Sequence, residues 1–409
     1  MFSQPQSTLL RAELRHSAKP PIALHKQGMS VVVVRDVATL SKYVEEWEEL
    51  ATNAVEQNVF YEPWMLLPAI KLWGAGKDLD FVLIFAHEPR GQSDHPMMCG
   101  FFPLERQHRY KGLWISTRKL WRHKHCYLCT PLVRSEYARE CLHAFFGWLA
   151  SDPIRNALVE LGNITGEGLL HQLLIDHFSE RGSLTFILEQ NTRAFFQPRA
   201  NGHEYVRAAR SGEWRRKMKR QEKQLAAIGS LQYRLLEPDG NVEGWIEEFL
   251  RLETGGWKGL EGSALALNEE DQAFFRAVNT EAFRRGRLMA LALHLNDKPI
   301  AQRHSFLAGR GSFAFKTAFD ERFAHFSPGT LVELENIHRL HARPEIDWMD
   351  SCTVPDNFLL NHLWIDRRTI LTLLVATGRG HGKLVVLFLP LLRWLKRKLA
   401  GMAFKFNRS

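Results

Sequence analysis

The stretch from Arg287 to His341 constrains the fold more than any other part of the chain. Three apolar runs follow one another closely: Arg287 to Leu295, Lys298 to Leu307 and Ser312 to Phe319. Asn296-Asp297 and Gly309-Arg310-Gly311 separate them, and such residues supply the backbone that tight hairpins need. The pattern predicts three strands joined by short turns. Phe326-Ser327-Pro328-Gly329-Thr330 then opens a helix predicted from Pro328 to His341. Pro328 suits a first helical turn, where a missing N–H is no loss. Gly329 lets backbone approach a ligand. The free N–H groups and dipole of such a helix start favour a phosphate, although a plain Ser-Pro helix start fits the same residues.

Upstream, Val31 to Val34 reads as a buried strand, with helices over Thr39 to Leu50 and Phe60 to Trp73. Phe81 to Ala86 and Cys99 to Leu104 read as neighbouring strands. Ser135 to Ala150 follows as a helix with Ser135 as its N-cap. A strand over Ala157 to Leu161, a helix over Gly168 to Arg181 and a strand over Leu184 to Glu189 complete this series. The pattern loosens from Asn191 to Arg207. A second series then begins with a helix over Gly212 to Ile228, a strand over Leu231 to Leu236, and helices over Val242 to Leu252 and Asp271 to Arg285. Strands over Glu345 to Asp350 and Ile370 to Val375 close it. This alternation predicts an α/β class with mixed, α+β sheets in two similar-sized halves. The length, 409 residues, suits two domains. The expected boundaries are a poorly ordered leader over 1–29, an N-terminal domain over 30–195, a C-terminal domain over 196–380 and a basic amphipathic helix over 381–409.

Charge placement excludes some functions. The formal charge is +9, but Lys383 to Ser409 alone holds seven Lys and Arg and no acid. The body is nearly neutral, which argues against a general nucleic-acid binder. The five cysteines are an odd, scattered set, which fits a reducing, cytoplasmic compartment rather than a disulfide framework. No apolar run reaches the length of a bilayer span. The tail, Leu384 to Leu392 followed by Trp394 among basic residues, fits either a helix lying on the inner membrane face or one docked on the core. There is no Gly-x-Ser-x-Gly elbow, Walker P-loop or His-Glu-x-x-His.

Gly286 to Ala301, with Lys298-Pro299-Ile300-Ala301 after a short turn, then Phe319-Asp320 and Ser327-Pro328-Gly329, resembles the GNAT acetyltransferases typified by the cellulose-biosynthesis protein CelD. These are similar to the double-GNAT FemXAB aminoacyltransferases. Gly256-Trp257-Lys258-Gly259, Gly262-Ser263-Ala264, Met349-Asp350-Ser351-Cys352, Pro355-Asp356 and Leu363-Trp364 extend the resemblance, which is strongest from Trp214 onward. It implies a tandem GNAT-like double domain with the working site in the second half. It also implies direct transfer of an acyl group from acyl-CoA, as co-substrate, to an amine or hydroxyl. The acceptor would be a small molecule, an amino sugar or a polysaccharide precursor. An aminoacyl-tRNA donor and a catalytically inactive scaffold in envelope polysaccharide assembly are the alternatives. The usual phosphate signature, Arg/Gln-x-x-Gly-x-Gly/Ala, is matched incompletely by Arg379 to Leu384, after the last strand. Ser327, Pro328, Gly329 and Thr330 are therefore the expected CoA-binding residues.

Asp350, at a strand end, is the leading acid–base candidate, with Asp356 and His304 beside it. A turn cap, or an ion pair with Arg367 or Arg368, is the alternative for Asp350. Trp257 and Lys258, in a Gly-rich loop, are expected to contact ligand. Arg303 and His304 fall on opposite strand faces. Arg303, Lys316, His125 and Cys352 complete the expected substrate-binding set. His123, His125, Cys126 and Cys129 have half the spacing of a zinc site and lack the second half, so no metal is expected.

Overall fold

The computed structural model describes residues 23–25, 28–87, 96–152, 154, 156–378, 381–391 and 394. The expected leader, the signature residues Arg379 and Gly380, and most of the tail beyond 391 lie outside them.

A single mixed sheet runs through the molecule. Its N-terminal part comprises β1 (Ala23–His25), β2 (Met29–Val34), β3 (Leu79–Ala86), β4 (Met97–Gln107), β5 (Thr117–Leu120), β6 (Leu132–Val133), β7 (Leu158–Thr165) and β8 (Thr185–Phe196). The C-terminal part comprises β9 (Leu231–Leu235), β10 (Leu288–Leu295), β11 (Lys298–Ala308), β12 (Gly311–Phe319), β13 (Trp348–Asp350) and β14 (Asp366–Ala376). The spatial order is β1-β2-β3-β4-β5-β7-β14-β8-β13-β12-β11-β10-β9, with β6 on β4. The last strand, β14, thus lies between β7 and β8, inside the first half's part of the sheet. The two halves share one sheet, and the β8–β13 pairing joins them (Phe196 with Met349, Phe195 with Asp350).

Local chemistry explains the elements. Asn296 and Asp297 both take positive φ, 50° and 63°, which gives the β10–β11 hairpin its twist-matched turn. Asn268 and Asn201 cap the helices Glu269–Arg284 and Gly202–Ala209 with their side chains. The helix expected from Phe60 starts instead at Pro63, after a 3-10 turn over Val59–Tyr61. Buried aromatic side chains, among them Trp47, Phe60, Phe101, Phe102 and Phe145, fill the space between sheet and helices.

Three further expectations need correction. Ser135 does not cap a helix: it opens a 3-10 turn, its hydroxyl donates to the Asn53 carbonyl, and the α-helix starts at Ala138. Thr39 to Leu50 is not one helix but three short pieces. The loosened stretch after Asn191 is strand as far as Phe196. Its polar residues obscure the alternation for a physical reason: Glu189, Asn191 and Arg193, two apart, face the cleft described next.

Candidate active site

Strands β12 and β13 run parallel and pair over three positions: Gly311 with Trp348, Ser312 with Met349 and Phe313 with Asp350. Beyond that point they part. The β11–β12 register shifts between His304 and Ser305, so Phe315 is an extra residue that turns β12 away. β13 ends at Asp350, and the chain turns off through Cys352 at φ 53°. A cleft of about 530 Å³ opens beside the parting strands. That volume is in the ordinary range for small-molecule sites.

The helix Pro328–His341 contributes Gly329, Val332 and Glu333 to the wall. Its N-cap, Ser327, is left-handed (φ 57°, ψ 49°), and no side chain caps the helix. The Thr330 and Leu331 N–H groups donate to the Ser327 carbonyl and Pro328 has none, which leaves the Gly329 N–H without a backbone partner at the positive end of the helix dipole. A Cβ at Gly329 would stand 3.4 Å from the Phe319 ring. Gly329 thus reaches the cleft itself, whereas Ser327, Pro328 and Thr330 belong to the surrounding turn and are not wall residues.

Asp350, at the end of β13, is buried behind the cleft wall, where its partner Arg193 and its neighbours Ser351 and Cys352 are wall residues. Its carboxylate is fully buried and accepts from Arg193 at 2.8 Å, from Arg368 at 2.9 Å and from the Cys352 N–H at 2.9 Å. Burial alone would raise its pKa, but the two guanidiniums and the N–H hold it below the usual carboxylate value. A carboxylate so engaged is a poor proton acceptor. It holds Arg193, Arg368 and the start of the Ser351–Cys352 turn in place. Of its two expected alternative partners, Arg368 is one, while Arg367 donates to the carbonyls of Trp364 and Asn361 instead.

Arg303 lines the cleft and pairs with buried Glu333, which also accepts from the Trp364 and Asn336 side chains. His304 points to the opposite face, as alternation requires. It is sealed between Phe249 and Phe275 and bonded to Asn279 (2.6 Å) and Gln302 (2.9 Å). Burial lowers its pKa to about 3. His304 therefore has no path to the cleft, and its expected acid–base place is corrected to a core position.

Trp257 and Lys258 form the opposite wall on a short helical turn, Trp257–Leu260. Buried Glu253 anchors this loop, accepting from Lys258 at 2.6 Å and from the Leu265 N–H at 2.9 Å. Cys352 lies in the wall, and burial pushes its thiol well up. Asp356 is exposed and outside the cleft wall, although its neighbours Pro355 and Asn357 belong to it. His125 stands behind the wall, bonded to Asp271 at 2.7 Å and stacked on Phe274. Its pKa falls to about 4 through burial and the charge of Lys316, against the pull of Asp271. Cys126 and Cys129 are buried, with sulfurs 3.7 Å apart, and no metal-holding group of His, Cys, Asp and Glu occurs among the described residues.

The first half also contributes wall residues that had not been singled out: Arg122, Tyr127, Asn163, Glu189, Asn191 and Arg193. Lys316 lies over the rings of Tyr127 and Phe315 (5.8 and 5.7 Å). Among the described residues no carboxylate pairs with Lys316 or Arg122, while Arg193, Arg303 and Lys258 are neutralised. The period-two spacing of Glu189, Asn191 and Arg193 was the signal for part of this wall.

Two parallel strands thus part beside a helix start that no side chain caps, and the cleft lies there. Residues 212–358 match the acetyltransferase (GNAT) domain family. The chain carries this domain on a tandem GNAT fold and is an acyltransferase. In structure it is similar to FemX, at 8% identity and a TM-score of 0.53, over 84% of this chain and 97% of that one. It is also similar to a tandem GNAT protein from the clavulanic acid biosynthesis pathway, at 12% identity and a TM-score of 0.41, over 86% and 99% of the two chains. A conserved protein of unknown function from Bacteroides thetaiotaomicron aligns at 9% identity and a TM-score of 0.47, over 82% and 96%. No curated protein matches the sequence.

Proposed function

We propose that this protein moves an acyl group from acyl-CoA directly to an amine or hydroxyl of a small-molecule, amino-sugar or polysaccharide-precursor acceptor. On this reading it is a GNAT transferase of the cellulose-biosynthesis-protein type. The observation that carries the proposal is the cleft between β12 and β13, with Gly329 of an uncapped helix in its wall. The Gly329 N–H would contact the pyrophosphate, since Pro328 has no N–H and those of Ser327 and Thr330 donate to the Ala324 and Ser327 carbonyls. Trp257 and Lys258 would cover the donor. Asp350 is a positioning residue that keeps Arg193 and the Cys352 turn in register.

Transfer joins the acceptor nitrogen or oxygen to the thioester carbonyl carbon, breaks the carbon–sulfur bond and expels CoA as a thiolate, which becomes the thiol by taking up a proton equivalent to the one the acceptor loses. The acceptor's proton must leave. Two carboxylates belong to the cleft wall, and Glu333 is held by Arg303, which leaves exposed Glu189 to take the proton. Lys316 and Arg122 suit an acceptor that carries an anionic group.

The test is thermal stabilisation of the full chain by acetyl-CoA and by longer acyl-CoAs. A rise in melting temperature with at least one of them is expected. No shift with any of them overturns the reading. An aminoacyl-tRNA donor is the second reading, favoured by one observation. The helix Gly212–Ala226 exposes Arg216, Lys217, Lys219, Arg220 and Lys223, a row of cations along its surface. Stabilisation by charged tRNA and by no acyl-CoA would select it.

A further inference from the structure

The sheet's β7–β14–β8 region carries a surface unrelated to the cleft. Residues 381–391 form a helix, and its inner side is docked: Val386 and Leu389 are buried with Leu158, Leu374, Ala376 and Tyr110. Its outer side is as apolar as its inner one. Leu384, Leu387, Phe388 and Leu391 are 53%, 58%, 54% and 49% exposed. Their spacing, i, i+3, i+4 and i+7, makes one continuous stripe on an α-helix. A helix that is apolar all round is ordinarily buried or in contact with lipid. Beside it, packed through Tyr110 and Ile115, is the turn at residues 110–113. That turn exposes Leu113 and Trp114, with Arg109 over the Trp114 ring at 3.7 Å.

We propose that the outer stripe of residues 381–391, with the Leu113–Trp114 tip beside it, docks on an anionic lipid bilayer. Charge selects this occupant. Lys383 to Ser409 contains seven Lys and Arg and no acid, and no Asp or Glu occurs from Arg106 to Ser135. Cations flanking an apolar stripe match a surface of acidic headgroups over hydrocarbon. A second copy of the chain is a poor occupant, because the sequence around this stripe is basic and carries no acid to complement it. The contact is with the surface: among the described residues no helix is long and apolar enough to cross a membrane.

The experiment is vesicle co-sedimentation of the full chain. Phosphatidylcholine vesicles are compared with vesicles in which part of that lipid is replaced by phosphatidylglycerol. Partition into the acidic vesicles is expected to exceed partition into neutral ones by about tenfold and to fall as salt is raised. Leu387→Asp with Phe388→Asp is expected to weaken it by about tenfold or more, because two charges would have to enter the interface. Trp114→Ser is expected to weaken it by a smaller factor. Both sites are exposed, so melting temperature and the acyl-CoA response of the cleft should stay those of the unaltered protein. Equal binding to both vesicle types overturns the proposal, as does unaltered binding by the Leu387/Phe388 variant. A fall in oligomeric mass on substitution, without vesicle binding by the parent, also overturns it and assigns the stripe to a protein–protein contact.

Discussion

Each half of the sheet contains one parallel strand pair, and the two pairs end differently. In the first half, β5 and β7 pair at Thr117 with Leu158, Arg118 with Val159 and Lys119 with Glu160. The chain after β5 then closes the space beside β7. Cys129 donates its N–H to the Asn163 carbonyl (2.9 Å), and Thr165 donates to the Thr130 hydroxyl (3.0 Å). Trp121, His123, Cys126 and Leu128 are buried in what would otherwise be an opening. In the second half, β12 and β13 pair over three positions and part with nothing between them. A helix with an uncapped end stands beside that gap. One half has the space filled with side chains and serves as a wall; the other keeps its cleft open.

The largest effect on binding should come from filling the open cleft. Gly329→Trp is expected to reduce acetyl-CoA affinity by at least about 100-fold, some 2.7 kcal/mol, read by calorimetric titration. The fold should survive, because Gly329 borders the cleft and the atoms nearest its Cβ direction, in the Phe319 ring, are at 3.4 Å or more. If affinity is unchanged, the donor lies elsewhere and the contrast between the halves loses its functional meaning. The converse change, Trp121→Ala in the filled half, should cost about 3–5 kcal/mol in denaturant unfolding and create no new binding. Asp350→Ala should cost a similar amount, about 3–5 kcal/mol, because it leaves Arg193 and Arg368 buried without their carboxylate.

Much of this contrast was legible in the sequence, and the illegible part has a clear cause. The hairpins of β10 to β12 and the helix at Pro328 announce themselves through local chemistry, Asn296-Asp297 and Ser327-Pro328-Gly329. Residues whose surroundings are assembled from distant segments do not. Asp350 reads as a free strand-end acid until Arg193, 157 positions away, is placed against it. His304 reads as a groove residue until Asn279 and Phe249 enclose it. Glu189, Asn191 and Arg193 looked like the end of a domain because a strand facing a polar cleft loses the apolar alternation that identifies strands. The insertion of β14 between β7 and β8 leaves no local mark at all.

A pH experiment probes both halves together. His123 in the filled half and His304 in the open one are buried, and each has its pKa lowered to about 3. Burial is the main cause in both. The unfolded value is near 6.5, so below that pH the unfolded chain binds protons that the folded chain refuses. Stability contributed by these groups is complete above about pH 6.5 and is lost as pH falls toward the folded values, by up to about 1.4 kcal/mol per pH unit for each. His304→Gln should flatten the acid limb of the stability curve by one such increment, measured by denaturant melts at several pH values. An unchanged slope would mean that water reaches this histidine, and that the wall behind the cleft is not sealed.

The smallest effect concerns what the open cleft is charged to receive. Arg303, Arg193 and Lys258 have carboxylates beside them, so their removal mainly damages structure. Lys316 lies over two rings, with no carboxylate partner among the described residues. Lys316→Met keeps the apolar stem over Tyr127 and removes only the charge. Stability should change by less than about 0.5 kcal/mol, as at a position without a buried partner. Affinity for an anionic probe such as inorganic phosphate should fall about tenfold, and acetyl-CoA affinity by about twofold or less, if the cation serves the acceptor. The opposite pattern, a large loss of acetyl-CoA with phosphate unaffected, would move Lys316 to the donor side. The anionic character assigned to the acceptor would then have to come from Arg122 alone, a cation contributed by the half whose own cleft is filled.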